Sequence, residues 1–324
     1  MKPFKSFLAP QLEEHISYRQ SLGYAMRTYR NHLLCFDQYL IDTNADRHSL
    51  YPGFFLDMRA SLKMQPSSVN AILSVTRTFF QFMVRRGYFK ENPLRDIPPL
   101  KKNAIVPFIF SLEQTQQLLD AICKRFHKTK GYFLTDLALY LAVLLLARCG
   151  MRISEPLKLK HHHYRRDDAT IYIQRTKFAK DRLIPVPQEV VTQIQNYLSV
   201  RKSLIPNDQS PFLLVRPNQK PITDFQVRRL FRTVLKDIGL DQPRRVIGNV
   251  NFLQPTPHSL RHSFAVNALL KIKKRGGSAK HALPVLADFM GHSHYMYTSV
   301  YLRVTDALSR KQLVDFSLWQ ERKE

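Results

Sequence analysis

Apolar residues recur at helical spacing through the first hundred positions of the chain. The clearest stretches are TYRNHLLCFDQYLI and SSVNAILSVTRTFFQFMVRRG, where apolar residues three or four positions apart would share one face of a helix. These residues are Leu33, Phe36, Tyr39 and Leu40 in the first stretch and Val69, Ile72, Val75 and Phe79 in the second. Gly87 is a natural stop for the second helix. The pattern predicts a small helical bundle from about residue 10 to residue 92.

The later part of the chain mixes helical and strand patterns. Ser111 and Gln114 are typical of a capping box at the start of SLEQTQQLLDAI, and LTDLALYLAVLLLARCG is apolar nearly all round, which predicts a core helix that ends at Gly150. A further helix is predicted at SEPLKL, with Ser154 as its cap. TIYIQ and RLIPV alternate like the two strands of a hairpin. The expected fold class is mainly α with a small antiparallel β-sheet.

A proline-rich stretch, NPLRDIPPLKKNAIVP, separates these two parts and favours an extended linker. With 324 residues the chain is long enough for two domains. We therefore predict a helical N-terminal domain over residues 1–102, a linker over residues 103–110, and a mixed α/β domain with a C-terminal tail over residues 111–324.

Basic residues greatly outnumber acidic ones. The chain has 50 Lys and Arg against 25 Asp and Glu, a formal net charge of +25. This excess favours a polyanionic partner, because a net charge that serves only solubility is about 2 to 8 in magnitude for a small domain. A membrane surface would also attract such a chain, but the longest apolar run, Leu137–Ala147, is too short to span a bilayer, and the first residues lack the features of a signal peptide. Nucleic acid is the expected partner.

The cysteines and histidines predict neither a disulfide framework nor a metal site. Cys35, Cys123 and Cys149 are odd in number and widely spaced, which fits a reducing cytoplasm. Three consecutive histidines at positions 161–163 would point in different directions on a helix or a strand, and no second ligand cluster follows them at zinc-like spacing. We expect a basic surface turn at this position.

Two predicted helices carry basic residues beside their apolar stripes. Those of the last helix of the bundle are Arg77, Arg85 and Arg86, with Arg30, Arg59 and Lys63 on neighbouring elements. Those of ITDFQVRRLFRTVLKDIGL are Arg228, Arg232 and Lys236. The second helix would fit the major groove of DNA, and we favour DNA contact over mere solvation for it. For the first set both interpretations stay open, and the sequence does not decide between base and phosphate contacts.

The densest group of candidate catalytic residues lies between positions 256 and 301. His258 and Arg261 are three positions apart near the start of a predicted helix, so they share a face and could together bind a small anion such as phosphate. A Gly-His pair ends at His292, and Tyr301 follows nine residues later. Each of these elements is common by itself, whereas their order and spacing are not.

This order and spacing resemble the tyrosine recombinases, or phage integrase family. The resemblance extends upstream to ARCGMRISEPLKL and to the predicted hairpin, where the alignment of KFAKDRLIP favours Lys177 over Lys180. It implies a catalytic set with Glu155 as a supporting acid. The set is Arg152, Lys177, His258, Arg261, His292 and Tyr301. The basic loop KIKKRGGSAKHALP departs from the family pattern, and so do Tyr295 and Tyr297, which we interpret as packing residues.

The resemblance implies a site-specific DNA recombinase of the integrase or transposase type, which cuts and rejoins DNA through a 3′-phosphotyrosine intermediate. Tyr301 would be the nucleophile, Lys177 would protonate the leaving 5′-oxygen, and His258 would assist proton movement at the tyrosine. Arg152 and Arg261 would offset the phosphate charge, with His292 as a further hydrogen-bond donor. No metal or other cofactor is expected. Two alternatives remain, a type IB topoisomerase and a DNA-binding accessory protein of the same fold that does not cut.

The resemblance covers the helical N-terminal domain as a core-binding domain that clamps DNA, so it favours DNA contact by Arg77, Arg85 and Arg86. It also implies how the chain would assemble. A homotetramer would act on paired sites of double-stranded DNA in the nucleoid. It would serve a mobile genetic element or the chromosome. Other recombinases or DNA-bending proteins are candidate accessory partners. The tail ALSRKQLVDFSLWQERKE is predicted to be amphipathic. Its apolar positions are Leu308, Leu313, Phe316 and Trp319. Related proteins dock such a tail on the next protomer, and folding back on its own domain is the alternative.

Overall fold

The computed structural model describes residues 2–174, 181–248, 250–292, 298–302 and 304–305. The chain divides into two compact units, Met1–Ala104 and Ile105–Glu324. The division falls inside the proline-rich stretch, and the domain and linker limits of 1–102, 103–110 and 111–324 remain a prediction. The expected fold class, mainly α with small antiparallel β-sheet, is confirmed.

The first unit is a helical bundle, as the apolar spacing predicts. Its helices are α1 (Ala9–Ser21), α2 (Arg27–Asp42), α3 (Pro52–Ser61) and α4 (Pro66–Arg85). The core is aromatic, with Phe36 of α2 and Phe55 of α3 packed edge-on against Phe80 of α4. Rings of this size contribute much of the apolar area that a small bundle can bury.

Arg30 corrects one expectation about the basic face of the bundle. Its side chain is buried, and both terminal nitrogens donate to the carboxylate of Glu13, at 2.7 and 2.5 Å. The predicted place of Arg30 on an exposed face is therefore wrong. The residue serves the fold, because a buried guanidinium needs such a partner to offset the loss of its water.

The three predicted DNA contacts of α4 differ in their surroundings. Arg77 is half-buried and donates to two backbone carbonyls, those of Leu94 at 2.9 Å and Ile97 at 2.6 Å. It thereby fastens the segment that follows the bundle. Arg85 and Arg86 are exposed. DNA contact by these three residues stays a prediction, and the two exposed ones are better placed for it.

One apolar helix lies at the centre of the second unit. The helices are α5 (Leu112–Lys124), α6 (Lys130–Cys149), α7 (Gln188–Leu204), α8 (Asp224–Asp237), α9 (Pro257–Lys274) and α10 (Ala279–Met290), and residues 298–302 are also helical. α6 packs against α5, α7, α8 and α9, as its nearly all-round apolar sequence predicts. Among the described residues it is the one helix long and apolar enough to cross a bilayer, but 61% of its most apolar window is buried inside the protein, as in a core helix.

Gly150 ends α6 with a left-handed backbone conformation, at φ 58°. A Cβ at this position would lie 2.5 Å from the ring of Phe264 on α9. Glycine is therefore required both for the turn and for the close approach of two helices. Arg152 lies three residues beyond Cys149, the last residue of this rigid, buried helix.

The described residues contain six short strands in two three-stranded sheets. The strands are β1 (Ala104–Val106), β2 (Tyr164–Arg165), β3 (Thr170–Ile173), β4 (Arg182–Pro185), β5 (Arg245–Ile247) and β6 (Val250–Phe252). In the sheet β2-β3-β4, the predicted hairpin pairs Ile171 with Ile184, and both are buried. The sheet β1-β6-β5 is not predicted, because strands of three residues are too short to show alternation. Lys177 and Lys180 belong to residues 175–180, which lie outside the described residues, as do Tyr295, Tyr297 and the tail.

The segment after α6 departs from the predicted helix at SEPLKL. Only Pro156–Lys158 forms a turn of 3₁₀-helix, and its N-cap is Glu155 rather than Ser154. The helix stops because Leu159 is extended and its carbonyl accepts from the backbone of Leu213. The histidines 161–163 that follow are also a 3₁₀ turn, in which the first two are exposed and the third is buried, so the predicted surface turn is correct only for the first two.

Candidate active site

Three arginines from separate segments meet at the C-terminal end of α10. Each donates to one of three successive backbone carbonyls there. The pairs are Arg182 Nε to Phe289 O (2.9 Å), Arg261 Nη2 to Met290 O, and Arg152 Nη2 to Gly291 O (2.6 Å). The last carbonyls of a helix have no partner within the helix and form the negative end of its dipole, so cations are favourable at this place. The contacts fix three guanidinium groups in one small region.

Glu155 holds two of these arginines in place. Its carboxylate accepts from Nη1 and Nη2 of Arg182 at 3.0 and 2.8 Å, and from Nη1 and the backbone amide of Arg152 at 3.0 and 2.7 Å. Burial by itself would raise the pKa of Glu155, but the hydrogen bonds and charge of Arg182 lower it overall. Glu155 is thus an ionised brace, as well as the first residue before a helical turn.

Arg261 is almost fully buried, with 1% of its surface exposed. Its Nη1 donates to the carbonyl of Gly150 at 2.6 Å and its Nη2 to that of Met290, so it joins the C-terminal ends of α6 and α10. Burial, and then the neighbouring Arg152, lower the pKa of Arg261 to about 9, which still leaves it charged at neutral pH. A guanidinium has five N–H donors, so this one keeps donors for a further acceptor.

The site has more positive than negative charge. Among the described residues, the ion pairs and carbonyl contacts of the site involve three guanidiniums, those of Arg152, Arg182 and Arg261. They involve a single carboxylate, that of Glu155. Buried cations are costly unless an anion compensates them. A phosphate group would supply the missing charge, and its oxygens match the planar fork of an arginine. The anion site expected near Arg261 remains a prediction, which this charge distribution favours.

Three histidines lie beside the arginines. His258 and His262 are one turn apart on α9, with ring centres 4.6 Å apart and rings nearly perpendicular, and Nδ1 of His292 lies 2.7 Å from Oγ1 of Thr298. Desolvation, followed by the charge of Arg261, lowers the pKa of His258 and of His292 to about 4. Desolvation, followed by His258, lowers the pKa of His262 to about 3. All three rings are therefore neutral at neutral pH.

Tyr301 lies in the helical residues 298–302 with 2% of its surface exposed. Its ring belongs to an apolar cluster with Ala265, Leu269 and Met290, and its hydroxyl lies 2.9 Å from Nδ1 of His262. Burial raises the pKa of Tyr301 to about 12, although the charges of Arg261 and then Arg152 act in the opposite direction. The ring is thus in the core, while the hydroxyl is at the edge occupied by histidines and arginines.

The structure brings most of the sequence-predicted site residues together. The gathered residues are Arg152, Glu155, His258, Arg261, His292 and Tyr301. Lys177 lies outside the described residues. The catalytic roles assigned to this set remain a prediction.

Arg182 and His262 are the two site residues that the sequence analysis missed. Each had a signal. Arg182 is on the same face of β4 as the buried Ile184, and a charged residue at a core-facing position normally has a buried partner. His262 is four positions after His258, so both share a face of α9.

α8 places the second predicted set of DNA contacts on its exposed side. Val227, Phe231 and Val234 are buried, whereas the basic residues on the other side are exposed. These are Arg228, Arg232 and Lys236. The charge of Arg228 is among those that lower the pKa of His258, so the start of α8 lies near the candidate site. DNA contact by α8 stays a prediction.

The buried histidines predict that acid destabilises the protein. A histidine whose pKa is near 6.5 when unfolded and about 3 or 4 when folded takes up its proton only on unfolding, so stability falls as the pH drops from about 6.5 towards 4. Each such proton contributes a slope of up to about 1.4 kcal/mol per pH unit. We expect the unfolding temperature to decrease over this range, and His262→Asn to make the decrease shallower. Calorimetry at pH 4.5 to 7.5 measures the unfolding temperature, and His281→Asn, a change at an exposed histidine, is the control. An unchanged slope in His262→Asn would contradict the neutral state of this ring.

Comparison with known proteins gives consistent similarities. The family model of the phage integrase family matches residues 109–307. The tyrosine recombinase XerA of Pyrococcus furiosus is 27% identical over 316 residues, which cover 96% of this chain and 97% of XerA. The solved structure of XerH site-specific recombinase bound to a palindromic difH substrate, a post-cleavage complex, has a TM-score of 0.68 at 19% identity, covering 92% of this chain and 80% of that one. A lambda integrase tetramer bound to a Holliday junction has a TM-score of 0.65 at 16% identity, covering 91% and 76%. At such identities the solved structures show a shared fold.

Proposed function

This chain belongs to the phage integrase family, the family of enzymes that break and rejoin DNA strands, and we propose that it recombines DNA at specific sites through a covalent 3′-phosphotyrosine intermediate. The observation that carries the proposal is the surplus of positive charge beside the Tyr301 hydroxyl. Among the described residues, three guanidiniums meet at the end of α10 with one carboxylate, that of Glu155, and the charges of two of them, Arg261 and Arg152, act on the Tyr301 hydroxyl. A phosphodiester would bring one negative charge and two non-bridging oxygens to this place.

The proposed reaction uses the predicted set in distinct roles. Tyr301 Oη attacks phosphorus, the bond from phosphorus to the 5′-oxygen breaks, and the 3′-phosphate stays on the tyrosine. Arg152 and Arg261 bind the non-bridging oxygens and offset the charge that develops on them, with His292 as a further donor. Lys177 protonates the leaving 5′-oxygen. A 5′-hydroxyl of a second duplex then attacks the phosphotyrosine and restores a continuous strand.

The proposal extends to how DNA is held. α8 would enter the major groove with its exposed basic side, and the exposed Arg85 and Arg86 would contact the backbone of the duplex. Lambda integrase forms a tetramer on a Holliday junction, and we propose that four copies of this chain likewise act on two duplexes. Such an enzyme would work in the cytoplasm, on the nucleoid, with other recombinases or DNA-bending proteins as candidate accessory partners.

Covalent capture tests the proposed function. Wild-type protein is mixed with duplexes that carry a randomised core and a nick beside it, so that cleavage releases a short fragment and traps the adduct. We expect an adduct that survives denaturant and forms equally well with EDTA, because guanidiniums supply the charge that a metal would otherwise supply. Mass spectrometry should place the DNA on Tyr301, and sequencing of the trapped duplexes should give one motif.

The other outcomes identify the alternatives. Adducts on arbitrary sequences, together with relaxation of any supercoiled plasmid, would indicate a type IB topoisomerase. Specific DNA binding without an adduct would indicate a non-cutting accessory protein and overturn the proposed chemistry.

A further inference from the structure

We propose that His262 is a catalytic residue, whose Nδ1 takes the proton from the Tyr301 hydroxyl as the tyrosine attacks DNA. The inference rests on the proposed function, because it needs Tyr301 as the nucleophile. It assigns to His262 the task that sequence analysis gave to His258.

Position is the first reason for this assignment. Nδ1 of His262 lies 2.9 Å from Oη of Tyr301, within reach for direct proton transfer. The hydrogen bonds of the described residues include no such bond from His258 to the hydroxyl, and the His258 ring instead contacts the ring of His262. Nδ1 of His292 is engaged by Thr298, and its ring centre is 6.5 Å from that of Tyr301. Among these histidines, His262 alone touches the reacting oxygen.

The fold supplies the second reason. His262 is the next residue after Arg261 on α9, so one rigid helix holds both a proposed phosphate ligand and the proposed base. The tyrosine ring is held by the apolar cluster that includes Ala265 and Leu269 of the same helix. Base and phosphate ligand therefore share one helix, and the ring of the proposed nucleophile packs against the same helix.

The proton balance is simple in both directions. As the bond from Oη to phosphorus forms and the bond from phosphorus to the 5′-oxygen breaks, the phenolic proton passes to Nδ1 of His262, and the 5′-oxygen takes its proton from Lys177. When a 5′-hydroxyl attacks the phosphotyrosine, its proton returns to Lys177, the bond from phosphorus to Oη breaks, and Nδ1 of His262 returns the other proton to Oη. No other reactant is needed.

The surroundings of His262 keep this proton transfer inactive until DNA binds. Burial raises the pKa of Tyr301 and lowers that of His262, so without DNA the proton stays on the tyrosine. The charge of Arg261 is one cause of the low pKa of His262. A bound phosphate would offset that charge and make His262 a stronger base at the moment of attack. The same hydrogen bond could instead serve only to hold a buried hydroxyl, and the experiment distinguishes the two roles.

The experiment compares two replacements of His262 in the full chain. His262→Phe keeps a ring in the packed site but removes the nitrogen, whereas His262→Asn removes the ring and offers an amide oxygen near the position of Nδ1. The readout is the single-turnover rate of adduct formation on a duplex trapped by the wild type, with DNA affinity and unfolding temperature measured beside it. We expect His262→Phe to slow adduct formation by about 10² to 10³, to change DNA affinity less than about twofold, and His262→Asn to recover at least about tenfold.

A modified substrate separates the attack by the tyrosine from the departure of the 5′-oxygen. When sulfur replaces the 5′-bridging oxygen, the leaving group needs no protonation, so the defect of Lys177→Ala should shrink. The defect of His262→Phe should persist, because the nucleophile still has to lose its proton. Equal rates for wild type and His262→Phe, or rescue of His262→Phe by this substrate, would overturn the inference while leaving the proposed function intact. An absence of any adduct with the wild type would overturn the proposed function itself, and the inference with it.

Discussion

Replacing Tyr301 by phenylalanine is expected to abolish covalent attachment to DNA, slowing it by more than about 10⁴-fold. The change removes one oxygen and little else, because the ring packs in the cluster with Ala265, Leu269 and Met290, which phenylalanine fills equally well. The lost hydrogen bond to His262 should cost only about 1 kcal/mol of stability. A gel assay for the adduct, a binding assay and the unfolding temperature measure the three effects.

Tyr197 offers a matched control for this variant. It is as buried as Tyr301, at 2% exposure, and its hydroxyl also makes hydrogen bonds, with the backbone of Val215. Tyr197→Phe should lose similar stability and keep full cleavage. If Tyr301→Phe still forms an adduct, the nucleophile is a different residue and the assignment of Tyr301 fails.

Replacing Arg261 by lysine is expected to slow cleavage by about 10² to 10³ and also to destabilise the protein, by about 2 to 3 kcal/mol. Lysine keeps the charge, but its single ammonium group cannot reach both Gly150 O and Met290 O while also holding a phosphate oxygen. The loss should appear in the rate of adduct formation at saturating DNA, measured below the unfolding temperature of the variant.

Arg201 separates the two effects of the Arg261 change. It too is buried, and it donates to the carbonyls of Phe212 and Leu213 and to the carboxylate of Asp208. Arg201→Lys should destabilise the protein by a comparable amount without slowing cleavage. Equal cleavage by wild type and Arg261→Lys would show that Arg261 serves the fold alone.

The sequence predicted those parts of the molecule that depend on local pattern. Helices with apolar residues at regular spacing, such as α4 and α6, are visible because burial on one face or on all faces leaves a period in the sequence. The candidate site was visible for a different reason. Its residues stand at a spacing that resembles a known family, and the physical pattern of any one of them would not have singled it out.

The missed features depend on contacts between distant segments. Arg182 is 27 residues from its partner Glu155 and 107 residues from Phe289, and no local period records such pairs. Arg30 was misplaced for the same reason, since Glu13 lies 17 residues away on another helix. The short strands β5 and β6 depend on pairing rather than on their own sequence.

The seclusion of the Tyr301 side chain has a consequence for the proposed function. With 2% of that side chain exposed, a phosphodiester at the protein surface would not meet the phenol, so we expect few nicks at random positions of DNA. The proposed cleavage would therefore need bound DNA to bring a phosphodiester and the phenol together, which would restrict cutting to DNA held in the site.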